Sequence, residues 1–129
     1  RAPMSLRVLL PSADAAGGLT TSTHELLETL QALGEHAEPP PYTDLLCLCH
    51  PVWNEGSGVF QLAFQGRACE LSNKNVQLIC DRYPRSPTLQ VGKLRKNLFN
   101  VDMNGRISPL QAFAIAITIF DQSSVRRRL

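Results

Sequence analysis

Aromatic side chains are scarce in this sequence, at 6%, with Trp53 the single tryptophan. None of them interleaves with basic residues, which argues against the stacking platform that single-stranded nucleic acid requires, and no nucleic-acid partner is expected. Long apolar runs are missing too: none reaches the roughly 18 residues of a membrane-spanning helix. Catalytic patterns are equally absent, with no G-x-S-x-G, H-E-x-x-H or phosphate-binding loop. The histidines stand apart, His24 in the first turn of a helix, His36 in a loop and His50 beside Pro51. Asp102 and Asp121 read as single turn and helix-end carboxylates. With no nucleophile beside a base, no catalytic residue, enzymatic activity or cofactor is assigned. The chain opens on Arg1 with neither methionine nor a charged-then-apolar leader, so it reads as a piece of a longer polypeptide without a signal peptide.

Acidic residues run short in one region only. Residues 1–81 carry four basic and nine acidic side chains, a balance of −5; residues 82–129 carry nine and two, a balance of +7. Such a split either orients a domain toward an anionic partner or reflects solvated loops and tails. Cysteines number four. Cys47, Cys49 and Cys80 sit in apolar alternating runs, where a free thiol behaves as a small hydrophobe. Cys47-Leu48-Cys49-His50 suggests zinc, but no second ligand pair follows it, and no metal is assigned. Reduced thiols fit a cytosolic or nuclear compartment, and a cytoplasmic location is expected.

What is present is mostly strand. With 43% apolar and 19% charged residues, the 129-residue chain fits one folded domain. Residues 4–10, 44–49, 59–64, 67–71, 76–80, 88–93 and 98–103 are short alternating or apolar runs bounded by turn chemistry, about seven strands in all. A Gly17-Gly18 loop follows the first. Asn54-Glu55-Gly56-Ser57-Gly58 and Tyr83-Pro84-Arg85-Ser86-Pro87 are turns, and Glu38-Pro39-Pro40-Pro41 is a stiff connector. Ser22 and Glu25 form a capping box that opens a short amphipathic helix carrying Leu26, Leu27, Leu30 and Leu33, with Gly34 as its stop.

The last element differs. Ser108-Pro109-Leu110-Gln111 is a second capping box, with proline where its missing N–H is harmless. The apolar residues that follow, from Ala112 to Phe120, leave the helix without a polar face, so something must enclose it. Over residues 109–120 it is about 18 Å long, too short to cross a bilayer. Enclosing it in a barrel requires strand backbones about 10–12 Å from its axis. Seven tilted strands give a radius of roughly 7 Å and twelve give roughly 12 Å. Either further strands come from another segment, or the helix lies on an open sheet with an apolar flank exposed.

Leu110-Gln111-Ala112-Phe113-Ala114-Ile115-Ala116, followed by Phe120-Asp121, resembles the C-terminal signature of the tubby domain family. Pro51-Val52-Trp53-Asn54, Phe64-Gln65-Gly66-Arg67, Ser72-Asn73-Lys74-Asn75-Val76-Gln77 and Gln90-Val91-Gly92-Lys93 fall in the family's order. The resemblance covers residues 4–121 and implies the second half of a twelve-stranded barrel threaded by a central apolar helix. The expected organisation is therefore a C-terminal half of a tubby-like domain over 1–121 and a basic tail over 122–129, mainly β with α. Trp53, close behind Pro51, reads as a core anchor, with a ligand platform as the alternative, and the all-apolar helix makes Leu110, Phe113, Ile117 and Phe120 structural core. The resemblance implies the other half of the domain as a partner. It further implies membership of a long branch with WD40 repeats and a SOCS box outside this chain. Through that box the protein would reach elongin B/C and a cullin as the substrate receptor of a ubiquitin ligase. The alternative is the family's phosphoinositide-binding, membrane-localising adaptor role.

Two features depart from the family. Asp121 is followed by Gln122-Ser123-Ser124-Val125-Arg126-Arg127-Arg128-Leu129 instead of a Lys-Leu-Ala-Cys-Glu-like end, and the half bearing the family's main phosphoinositide site is absent. Gly92-Lys93-Leu94-Arg95-Lys96 resembles that site's Gly-Lys-x-Arg pattern but falls on a later strand. On a regular strand Lys93 and Arg95 share a side, so with Lys96 they form either a displaced anionic-headgroup site or a local coincidence. Arg126-Arg127-Arg128 is either a frayed tail or a headgroup contact.

Overall fold

The computed structural model describes residues 6–12, 22–35 and 37–125. The Gly17-Gly18 loop, His36 and Arg126-Arg127-Arg128 lie outside these residues. The elements are β1 (Arg7–Pro11), α1 (Thr23–Ala32), β2 (Thr43–Leu48), β3 (Val52–Asn54), β4 (Val59–Gln61), β5 (Val76–Cys80), β6 (Leu89–Arg95), β7 (Leu98–Met103) and α2 (Pro109–Val125). The protein is mainly β. Five strands form one antiparallel sheet in the order β1-β2-β5-β6-β7, and β3 and β4 form a separate hairpin.

Alternation sorts the large sheet into two faces. Leu46 pairs with Cys80, Leu78 with Leu89, and Val76 with Val91, so these side chains share the inner face. They are buried together with Ile107 and with Ala112, Ile115, Ala116 and Ile119 of α2. The helix thus lies on a curled half-barrel and contributes one stripe at helical spacing to its core. Gln77, Gln90 and Asp102 line up across β5, β6 and β7 on the outer face.

Both helix starts form as the sequence requires. Ser22 Oγ accepts from the Glu25 N–H, and the Ser22 N–H donates to Glu25 Oε2. At α2 the Ser108 N–H donates to Gln111 Oε1, and Ser108 Oγ accepts from the Gln111 N–H. The stop of α1 differs from expectation. Gly34 stands just past the extended Leu33 cap, where a stop glycine belongs, but it does not take positive φ, and the Arg7 guanidinium donates to the carbonyls of Leu30, Leu33 and Gly34 instead. A cation from β1 therefore supplies the partners that the last carbonyls lack. At the other end of the chain α2 runs to Val125, past the expected stop at Phe120.

Among the described residues seven strands form, the expected number, although one member changes. Residues 52–54 form a strand that the sequence pattern did not mark, and residues 67–71 do not form one. Gln65 and Gly66 both take positive φ (52° and 79°), and the Arg67 N–H donates to the Phe64 carbonyl. This mirror-image tight turn reverses the chain, and the following residues join the flank of β6 through two bonds to the Lys93 carbonyl, from the Cys69 and Glu70 N–H groups. Gly92 permits the approach: a Cβ there would lie 2.4 Å from the Arg67 carbonyl oxygen.

Candidate functional site

The bare side of α2 is an apolar surface. Leu110, Phe113 and Ile117 recur at i, i+3 and i+7, and they are 77%, 64% and 47% exposed. Beside them β7 is an edge strand. Val101 and Met103 stand opposite the buried Val91 and Leu89, yet both remain exposed. Phe120 alone of the expected core residues on α2 packs against the core, tilted on Phe99 at 4.8 Å between ring centroids. The expectation that Leu110, Phe113 and Ile117 are core does not hold within this chain. Half a barrel encloses half a helix, so the inner stripe is dry and the outer stripe is open. Trp53 departs as well: it lies half exposed on the β3–β4 hairpin, edge-on to Phe60 at 5.1 Å.

The basic cluster sits where β6 turns into β7. Lys93 is partly buried and pairs with Glu70, Nζ to Oε2 at 3.0 Å, while Arg95 and Lys96 are exposed. The sheet register shifts between Lys93 and Arg95, setting Lys93 against Phe99 and Arg95 against Leu98. Phe99 and Leu98 are neighbours and face opposite sides of the sheet, so the bulge turns Arg95 away from Lys93. The shared side inferred from regular alternation is thereby lost. Lys74, at the same end, reaches over the rings of Phe99 and Phe120, at 5.7 and 5.6 Å from their centroids.

On the outer face a polar network crosses three strands and the loop above them. Gln77 donates to Gln90 Oε1 and to the Ala63 carbonyl, Gln90 donates to Asp102, and Arg67 grips Asp102 through two bonds of 3.0 and 2.8 Å. The Arg67 hydrogen bonds hold the Asp102 carboxyl below its usual range. Sequence reasoning missed this network, although Gly92 inside a strand pattern is the kind of signal that marks a close backbone approach. A cleft of about 730 Å³ separates the β3–β4 hairpin from β5 and includes Cys49, His50, Trp53, Gln77 and Arg85 in its walls.

All four cysteines are free thiols. Burial raises the pKa of Cys47, Cys49 and Cys80 and so keeps them protonated. Among the described residues no group of three His, Cys, Asp or Glu side chains could hold a metal ion. No described helix is long and apolar enough to cross a membrane.

The sequence model of the Tub family matches residues 1–122 of this chain. The chain belongs to the Tub family. Mouse tubby-related protein 1 is 35% identical over 115 residues, which is 89% of this chain and 19% of that protein. Mouse tubby-related protein 2 is 39% identical over 71 residues, covering 55% of the chain and 13% of the relative. King tubby of Drosophila sechellia is 38% identical over 71 residues, again 55% of the chain and 16% of the relative. This Tub family chain therefore spans less than a fifth of the length of each of these relatives. The half-barrel, its seven strands and its C-terminal apolar helix agree with a tubby-type barrel.

Proposed function

We propose that this chain is the C-terminal half of a tubby-type barrel and serves as a non-enzymatic binding scaffold. The observation that carries this reading is the open stripe of Leu110, Phe113 and Ile117 beside the edge strand β7. An apolar helix face next to unpaired strand backbone is what remains when a closed barrel lacks part of its wall. Strands from the rest of the domain would extend the sheet from β7 and cover the helix.

Within the full-length protein this scaffold belongs to the substrate-receptor subunit of a SOCS-box ubiquitin ligase, in the cytoplasm. The support is the resemblance to the long, WD40-bearing branch of the family, which includes tubby-like protein 4. The second reading is an adaptor that binds phosphoinositide headgroups, and the exposed Arg95 and Lys96 favour it. Against it stands the bulge that separates Lys93 from Arg95.

Affinity capture of the full-length protein is expected to retain elongin B and C and to lose both when the SOCS region is deleted. Vesicles carrying phosphoinositide are expected to bind it no better than neutral vesicles. Vesicle binding that Arg95→Glu and Lys96→Glu abolish, without any elongin capture, would reverse the order of the two readings.

A further inference from the structure

Among the described residues two buried side-chain oxygen atoms lack a partner, and both belong to residues around one small cavity. Asp44 on β2 is 7% exposed and Thr88, just ahead of β6, is 1% exposed. Asp44 Oδ1 and Thr88 Oγ1 have no hydrogen-bond partner among the described residues. The Arg82 guanidinium stands 3.7 Å from Asp44 Oδ1, close enough for charge attraction but too far for a hydrogen bond. Leaving such atoms dry is costly, and native proteins satisfy nearly all of them.

The cavity they border has a volume of about 10 Å³, and Cys80, Tyr83, Arg106 and Ile107 also line it. That is room for roughly one water molecule and nothing larger. From this geometry we infer a structural hydration site: one internal water donates to Asp44 Oδ1 and shares a hydrogen bond with Thr88 Oγ1. A cation is the poorer occupant. Among the described residues, two unpartnered buried side-chain oxygens border it, against the several oxygen ligands that hard cations require. Arg82 and Arg106 already bring positive charge to the same place, with Arg106 stacked 3.0 Å from the centre of the Tyr83 ring.

The position gives this water a task. Thr88 is bonded through its N–H to the Leu78 carbonyl and through its own carbonyl to the Asn104 N–H. Residues 104–107 lead directly into the Ser108 cap of α2, and Ile107 is buried in the core. The water therefore ties β2 to the junction from which the apolar helix springs, and helps set how α2 lies on the sheet.

A crystal structure of the intact protein, at a resolution that orders internal waters, tests this. The expected result is one water about 3 Å from both Asp44 Oδ1 and Thr88 Oγ1. It is retained in Thr88→Ser, which keeps the hydroxyl, and lost in Thr88→Val, which keeps only the shape. A dry cavity, a direct protein hydrogen bond to either oxygen in its place, or an ion with short coordination distances overturns the inference. Should Thr88→Val fail to fold, the wild type and Thr88→Ser decide the question by themselves.

Discussion

At the scale of single residues, Gly92 and Asp102 hold the outer face together. A methyl group at position 92 would lie 2.4 Å from the Arg67 carbonyl oxygen and 3.0 Å from the Ala68 Cβ. Backbone cannot yield there as a flexible side chain would. Gly92→Ala is expected to lower stability by about 1–3 kcal/mol, as overpacking does, seen as an earlier denaturation midpoint. An unchanged midpoint would mean that the loop does not rest on β6. Asp102 adds a pH dependence. Its folded pKa lies below the ordinary 3.8, chiefly because Arg67 donates hydrogen bonds to it. A depressed carboxyl stabilises the fold above its unfolded pKa, and that contribution disappears as pH falls from about 4 through the folded value. Both side chains are substantially exposed, so solvent screening keeps the effect small. Unfolding of Arg67→Gln should show a flatter acid limb than the wild type; superimposable limbs would refute the pairing. In the sequence Gly92 stood only as a member of the Gln90-Val91-Gly92-Lys93 and Gly92-Lys93-Leu94-Arg95 patterns. Its meaning depends on Arg67, 25 positions earlier in the chain, which only folding brings near.

At the scale of elements, the helix starts were legible and the strand interruptions were not. A capping box is closed by residues three apart, so Ser22 with Glu25 and Ser108 with Gln111 can be read without knowing the fold. Ser108→Ala is expected to cost the intact protein about 1 kcal/mol, measured as a lower unfolding temperature. No change would indicate that packing alone fixes the first turn of α2. The end of that helix was harder to see, because the apolar pattern stops near Phe120 while the backbone ladder runs to Val125. No glycine or proline stands there to break it, and propagation needs only that. Residues 67–71 mislead for another reason. Their alternation imitates a strand, but the left-handed pair Gln65-Gly66 sends them along the flank of β6. Likewise, the one-residue bulge between Lys93 and Arg95 overturns a facing argument that assumes a regular strand.

At the scale of the whole molecule, the exposed stripe of α2 poses the central question. Phe113→Ser in the intact protein separates the possibilities. If strands from elsewhere enclose the helix, the substitution removes a buried ring and should cost about 3 kcal/mol or more. If the stripe lies in water, the change should stay within about 0.5 kcal/mol, as surface substitutions do, and the half-barrel reading would be lost.

The sequence by itself determined most of the strands, the starts of both helices, the turns at residues 54–58 and 83–87, the family, and the shortage of strands around an apolar helix. These follow from residues within a few positions of one another, or from a composition that no packing can alter. Only the tertiary structure decided which stripe of α2 is dry, where Lys93 and Arg95 face, and how Arg67 comes to hold Asp102. Each of those depends on which distant segment arrives opposite, and contacts across the sheet are set by register and bulges that carry no short-range signature.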